Sequence, residues 1–250
     1  MKPSILIVGA KGDIAKEIAR VYAKNGYNLI LSGRRIFEIE AFSEELKSFN
    51  ITVELKELDI TKFDTFTKFI STLKTLPMGI IIGTGYNPAT SEASINQKKF
   101  IEVMDVNYTG PILFINEIKK ILKTGFIIGI SSVAGERGRQ KNYIYGSAKS
   151  AFSTYLSGLR QALSKTNINV ITVHPGFVKT KMTKDIKTIK FLTTTPDKVA
   201  LDIFKGQQSN KSVVYTKFYW RYIMLIINII PESLFQFISK SEKISFGAID

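Results

Sequence analysis

The chain has no cysteine and a single histidine, His174, among 250 residues. The first absence excludes disulfides, thiolate nucleophiles and cysteine-based zinc sites, and it fits a reducing compartment. The second excludes a multi-histidine metal centre within one chain. Long apolar runs are also missing. The start, Met1 to Ser4, leads into Ile5–Val8 and then a glycine, too short for the apolar stretch of a secretory signal. The most apolar segment, Phe218 to Ile230, is unbroken only from Tyr222 to Ile227, far below the roughly 20 residues that cross a bilayer. Acidic residues are the minority, 21 against 35 Lys and Arg, for a net charge of +14. That excess suits an acidic partner such as membrane lipid, a phosphorylated substrate or nucleic acid; the plainer reading is lysine spread over helix faces. No zinc-finger, RNP or arginine-rich pattern is present, so nucleic acid is not an expected partner.

What is present is a regular alternation. Ile5–Val8, Leu29–Leu31, Val53–Leu55, Gly79–Ile82, Phe126–Ile130 and Val170–Val173 read as short buried strands, with Val213–Tyr215 a seventh. Between them lie helical patterns over Asp13–Asn25, Phe37–Phe49, Asp64–Leu73, Lys98–Leu122, with a bend at Gly110-Pro111, and Tyr145–Ser164. The phenylalanines at 63, 66 and 69 read as a core stripe. Short apolar strands separated by helices imply βαβ units and a parallel sheet. Right-handed crossovers then give an α/β, Rossmann-type doubly wound sheet. The length fits one NAD(P)-binding domain over 1–250, with a loop at 177–195 for substrate and an apolar helical tail at 216–240.

Ser132, Tyr145 and Lys149 are the candidate catalytic residues. Tyr145 and Lys149 stand one helical turn apart on one face, so the ammonium is expected to pull down a phenol pKa that is about 10 when free. Such a phenol can donate or accept a proton near neutral pH. Ser132 follows the Phe126–Ile130 strand, at the sheet edge where open α/β sheets bind ligands. The three together read as a carbonyl/alcohol oxidoreductase site. His174 reads as a packed or hydrogen-bonded side chain rather than a general acid.

At the nucleotide end, Gly9-x-x-Gly12 follows the first strand and opens the first helix, where backbone N–H groups meet a pyrophosphate; Lys11, Asp13 and Ile14 share that turn. Arg34 and Arg35 follow the second strand, where an NAD site usually has a carboxylate. Two guanidiniums suit a 2′-phosphate, so NADP(H) is favoured, with NAD(H) the alternative. Asp59 and Ile60 are placed to meet the adenine. Gly83 and Gly85 let backbone pass close to the cofactor.

With these residues assembled, the chain resembles short-chain dehydrogenases/reductases over nearly its whole length. The resemblance is carried by Gly9/Gly12, Asp59, Asn107, Ser132, Tyr145, Lys149 and Pro175-Gly176. It implies that Ser132 orients a carbonyl, Tyr145 protonates it, Lys149 binds the nicotinamide ribose, and Asn107 holds a proton-relay water. It also implies that Pro175, Gly176, Val178 and Thr180 flank the nicotinamide. The segments Gly135–Arg139, Asn142–Lys149 and His174–Met182, and the tail Trp220–Met224 with Ile230–Phe235, look like one subgroup, the decaprenylphosphoryl-2-keto-β-D-erythro-pentose reductases. That resemblance implies a lipid-linked sugar substrate, a flavin-dependent oxidase partner and a role in arabinan synthesis for the cell envelope. It places the protein in the cytoplasm or peripherally at the inner face of the membrane. Relatives self-associate through the segments matching Lys98–Leu122 and Tyr145–Ser164, so a homo-oligomer is expected. In this sequence Asp13 and Ala15 replace two glycines of the nucleotide turn, and Ile82-Gly83-Thr84-Gly85 replaces an Asn-Asn-Ala-Gly run. Lys179, Lys181 and Lys184 are candidates for the substrate phosphate, and the tail for either a membrane surface or a cover over the pocket. A generic ketoreductase acting on another lipid or sugar, and a catalytically silent nucleotide sensor, are the rival readings.

Overall fold

In the computed structural model, residues 2–184 and 189–240 are described. The chain runs β1 (Ser4–Val8), α1 (Asp13–Lys24), β2 (Asn28–Gly33), α2 (Glu40–Lys47), β3 (Val53–Glu57), α3 (Phe66–Ser71), β4 (Gly79–Ile82), α4 (Thr90–Ile95), α5 (Gln97–Met104), α6 (Gly110–Ile118), β5 (Thr124–Ile130), α7 (Tyr143–Ala162), β6 (Asn167–Pro175), β7 (Phe177–Val178), β8 (Thr193–Thr194), α8 (Pro196–Gln208), β9 (Val213–Thr216), α9 (Tyr219–Ile229) and α10 (Glu232–Lys240). Seven strands form one parallel sheet in the order β3-β2-β1-β4-β5-β6-β9. The expected doubly wound α/β fold and its seventh strand are both present.

Each central strand is buried on both faces, which is why it reads as a continuous apolar run rather than an alternation. In β1, Ile5 and Ile7 join a core with α1, α2 and α8, while Leu6 and Val8 join a second core with α3, α6 and α7. Phe66 and Phe69 stand edge-on to Phe114 in that second core. Strand order reverses between β1 and β4. The carboxyl ends of these strands diverge there and open a crevice.

Some boundaries differ from expectation. The helix expected to run to Leu122 ends at Ile118, and its bend is a π turn over Asp105–Thr109 that joins α5 to α6. Pro111 has no N–H to give the Asn107 carbonyl four residues back, so the α-helical ladder cannot run through. Helix α8, with Pro196 in its first turn, was not anticipated. Its Val199, Ala200 and Ile203 close the outer core over α1. Within the 177–195 loop, β7 pairs with β8; residues 185–188 lie outside the described residues.

Candidate active site

Small residues set the catalytic groups against each other. A Cβ at Gly146 would lie 2.7 Å from the Ala134 carbonyl oxygen, and one at Gly135 would lie 2.7 Å from the backbone of Lys149 and Ser150. The loop after β5 therefore presses on the first turns of α7, and Ser132 and Tyr145 become hydrogen-bonded through their side chains. The Ser132 hydroxyl oxygen also accepts from the Ala134 N–H at 3.1 Å. Behind it, the Ser131 hydroxyl donates to the Lys149 carbonyl at 3.0 Å, tying the loop to α7 a second time.

Lys149 is buried, with 2% of its surface exposed. Its Nζ donates to the carbonyls of Ile130 at 2.9 Å and Thr84 at 3.3 Å, and stands 5.8 Å from the Tyr145 ring centre. Desolvation brings this lysine down to about 7. The phenol of Tyr145 moves the other way from expectation. Burial pushes it up to about 12, and the Ser132 hydrogen bond opposes this only in part. The cation does not depress the phenol in this structure because its own charge is disfavoured by the same enclosure. Asn107, fully buried, uses its side chain as a clip. Its amide donates to the carbonyls of Tyr86 at 2.7 Å and Val103 at 2.9 Å, and its oxygen accepts from the Tyr86 N–H at 3.3 Å.

A cleft of about 380 Å³ opens at the strand reversal, lined by Gly9, Lys11, Gly12, Asp13, Ile14, Arg34, Arg35, Ile60, Gly83, Thr84, Gly85 and Thr180 among others; Ser132, Tyr145 and Lys149 are not lining residues, and Lys149 meets the cleft wall only through the Thr84 carbonyl. Gly9 has φ of +84°, and a Cβ there would sit 2.9 Å from the Thr84 nitrogen. Only glycine meets both demands. The cleft ends on the first turn of α1, whose unpaired N–H groups favour an anion. The residues present therefore suit a dinucleotide, with its pyrophosphate at this turn. Asp13 does not face outward alone: its carboxylate accepts from the Lys181 N–H at 2.7 Å and staples the 177–184 segment to the nucleotide turn.

Five expected residues fall elsewhere. Asp59 is not among the cleft's lining residues; one of its oxygens accepts from the N–H and hydroxyl of Thr61. A short Asx turn competes for the carboxylate expected to meet the adenine. Lys181, considered for the substrate phosphate, lines the nucleotide cleft instead. Pro175, Gly176 and Val178 are not lining residues of this cleft either. Gly176 is covered by Trp220, and Val178 is buried in the outer core. Arg34 and Arg35 do line the cleft, but each faces a carboxylate: Arg34 is 3.8 Å from Glu102, and Arg35 is 3.1 Å from Glu38, which also pairs with Lys11. The Lys11 hydrogen bond holds the Glu38 carboxyl below its ordinary range.

A polar cluster behind Ser132 carries no local sequence signal. His174 stacks on Tyr215 with ring centres 5.0 Å apart, and its Nδ1 lies 3.2 Å from Glu136 and 3.4 Å from the Ser132 carbonyl. The Tyr215 hydroxyl donates to Glu136 at 3.1 Å. These groups come from β6, β9 and the loop after β5, so no local spacing signals them. His174 is thus packed and paired, as expected. Beside the cluster, a guanidinium nitrogen of Arg139 approaches the Met224 sulfur at 3.3 Å, and burial lowers the pKa of Arg139 against the pull of Glu136.

The tail closes this side. Trp220, Met224 and Ile227 of α9 pack with Val133 and Leu192, and Trp220 Nε1 donates to the Leu192 carbonyl at 3.2 Å. Arg137 fastens α10 through Glu232 at 2.7 Å and lies over the Phe235 ring at 4.6 Å.

Known proteins give the same architecture. The pattern that defines the short chain dehydrogenase family matches residues 3–190. An uncharacterised oxidoreductase of Mycobacterium tuberculosis is 26% identical over 91% of this chain and 93% of its own. Among solved structures, an actinorhodin polyketide ketoreductase with NADPH superposes with a TM-score of 0.75 at 18% identity, covering 86% of this chain and 95% of that one. A 3-oxoacyl-acyl-carrier-protein reductase of Brucella melitensis with bound NAD gives 0.75 at 20% identity, covering 85% and 88%.

Proposed function

The chain belongs to the short-chain dehydrogenase family, an NAD(P)-dependent oxidoreductase by that membership, and from this premise we propose that it reduces the ketone of a polyprenylphosphoryl-2-keto-pentofuranose. The observation that carries the chemistry is the Ser132–Tyr145 hydrogen bond with buried Lys149 close by, whose Nζ holds the carbonyl of Thr84 in the wall of a cleft suited to a dinucleotide. The substrate class rests on the subgroup resemblance of the loop and tail. The half-buried Arg139 guanidinium next to Met224 adds a cation suited to the anionic part of such a substrate.

When bound, the dinucleotide supplies the hydride that adds to the ketone carbon. Gly9, Gly12 and the first turn of α1 would hold its pyrophosphate. Ser132 donates to the ketone oxygen and keeps it beside Tyr145. Tyr145 transfers its proton to that oxygen as the alcohol forms, so the ketone gains one hydride and one proton. A protonated Lys149 restores the phenol's proton, and the Asn107 carbonyl, which Pro111 leaves without an α-helical donor, anchors the relay water.

NADPH is the proposed donor. Arg34 is the freer of the two arginines, since its carboxylate lies at 3.8 Å, and it would grip a 2′-phosphate by charge-assisted bonds. We expect Arg34→Ala to lower kcat/KM for NADPH by about 10- to 100-fold, the value of a hydrogen bond to a charged group. NADH should be used as before. An equal fall with both coenzymes would remove Arg34 from the preference.

The substrate is tested by supplying the keto-lipid that a flavin-dependent oxidase makes from a polyprenylphosphoryl ribose, and following NADPH consumption. Oxidation of NADPH that depends on the keto-lipid is the expected result. Turnover of simple ketones with none of the keto-lipid would leave a carbonyl reductase of another substrate class.

A further inference from the structure

One surface has no part in the chemistry above. Helix α9 turns three residues inward, Trp220, Met224 and Ile227, against the loops around Ser132 and Leu192. Its other side presents Phe218, Tyr222, Leu225, Ile226 and Ile229 to solvent, with Phe218 and Ile229 more than 70% exposed. Those positions recur at helical spacing along a single stripe. After a bend of 110°, α10 adds exposed Leu234 and Phe237. Apolar faces of this size on a folded chain mark an interaction site.

Charge says what covers it. Aromatic and basic groups gather at the start of α9: Lys217 donates to the Phe191 carbonyl and lies over the Phe191 and Tyr219 rings, with exposed Lys190 and Arg221 beside them. The one acidic residue between 217 and 238, Glu232, is paired with Arg137. The whole chain carries +14, which draws an anionic surface. Aliphatics beyond an aromatic and basic rim match the layering of a bilayer's interfacial zone. With 11 residues, α9 is roughly 16 Å long, about half the hydrocarbon thickness. It can therefore lie in the interface but cannot span it, and among the described residues no single helix is long and apolar enough to cross.

We infer that the outer face of α9 and α10 docks the protein on the surface of an anionic lipid bilayer. The inner face of α9 touches Val133, next to Ser132, so docking sets the catalytic mouth at the lipid surface. The inference stands on exposed surface and charge alone, and its test uses no turnover of the proposed substrate.

Flotation of the full chain with vesicles tests it. The protein should rise with phosphatidylcholine–phosphatidylglycerol vesicles, bind pure phosphatidylcholine about tenfold or more weakly, and lose binding as salt is raised. Ile226→Glu with Ile229→Glu should weaken anionic-vesicle binding at least about tenfold, with melting temperature and NADPH affinity unchanged. Arg221→Glu, which leaves the apolar stripe intact, should weaken binding to a smaller degree. A wild-type chain that stays at the bottom of the gradient with both vesicles overturns the inference. So does a wild-type dimer that the two glutamates split, since the face then belongs to a second copy.

Discussion

Tyr145→Phe is expected to bind NADPH as tightly as the wild type and to lose about 10²- to 10⁴-fold in kcat, the range that a positioned proton donor contributes. The ring would keep its packing at the head of α7, so coenzyme fluorescence titration should not change. Ketone reduction at the wild-type rate would refute the proton-donor role. The pH profile follows from the two shifts. With the phenol pushed up to about 12, Tyr145 carries its proton throughout the neutral range, and reduction needs no phenolate. The reverse oxidation requires the deprotonated form and should accelerate as pH rises. Lys149, brought down to about 7, loses its proton as pH rises through that value, so proton resupply and the reduction rate should decline above it. The same shift bears on folding. The folded chain binds fewer protons at Lys149 than the unfolded chain between about 7 and the ordinary lysine range. This group's destabilising effect is therefore complete below about 7 and fades as pH rises.

Trp220→Ala should cost about 3–5 kcal/mol of stability, the usual range for removing a buried tryptophan. The indole is 2% exposed, stands edge-on to Phe177 at 5.4 Å, and fills the space beside Gly176, where a Cβ would meet Nε1 at 1.9 Å. Gly176 has no side chain to move into that gap. Loss of the indole also frees the start of α9 from Leu192, so the wall over the catalytic mouth loosens. Urea unfolding measures the first effect, and a raised KM for the keto-lipid at near-normal NADPH affinity measures the second. A change below about 1 kcal/mol would show that the tail is not seated as described.

The candidate trio is legible in the sequence because its spacing is local. Tyr145 and Lys149 are bound to one face by the pitch of one helix, and Ser132 to a strand end by the length of the apolar run before it. The two-sided burial of β1, β4 and β5 was equally visible, as apolar runs without polar alternation. The glycine turn at Gly9 and Gly12 carried its own geometric reason. Helix α8 escaped notice because its apolar residues are spread among charged ones and gain meaning only against α1. The 3.8 Å pairing of Arg34 with Glu102 joins residues far apart in sequence, and so does the staple from Asp13 to Lys181.

Charge balance, the absence of thiols, the order of strands and helices, and the choice of candidate proton-handling residues thus come from the sequence itself, since each depends on neighbours along the chain. The tertiary structure alone decided the protonation bias of that pair. Whether a cation lowers a phenol's pKa or is itself neutralised depends on how much water reaches both, and packing of α7 against the loop after β5 removes that water. It also decided that the tail has two roles on two faces. Helical periodicity marks an apolar segment, but only its neighbours in space determine which side is covered.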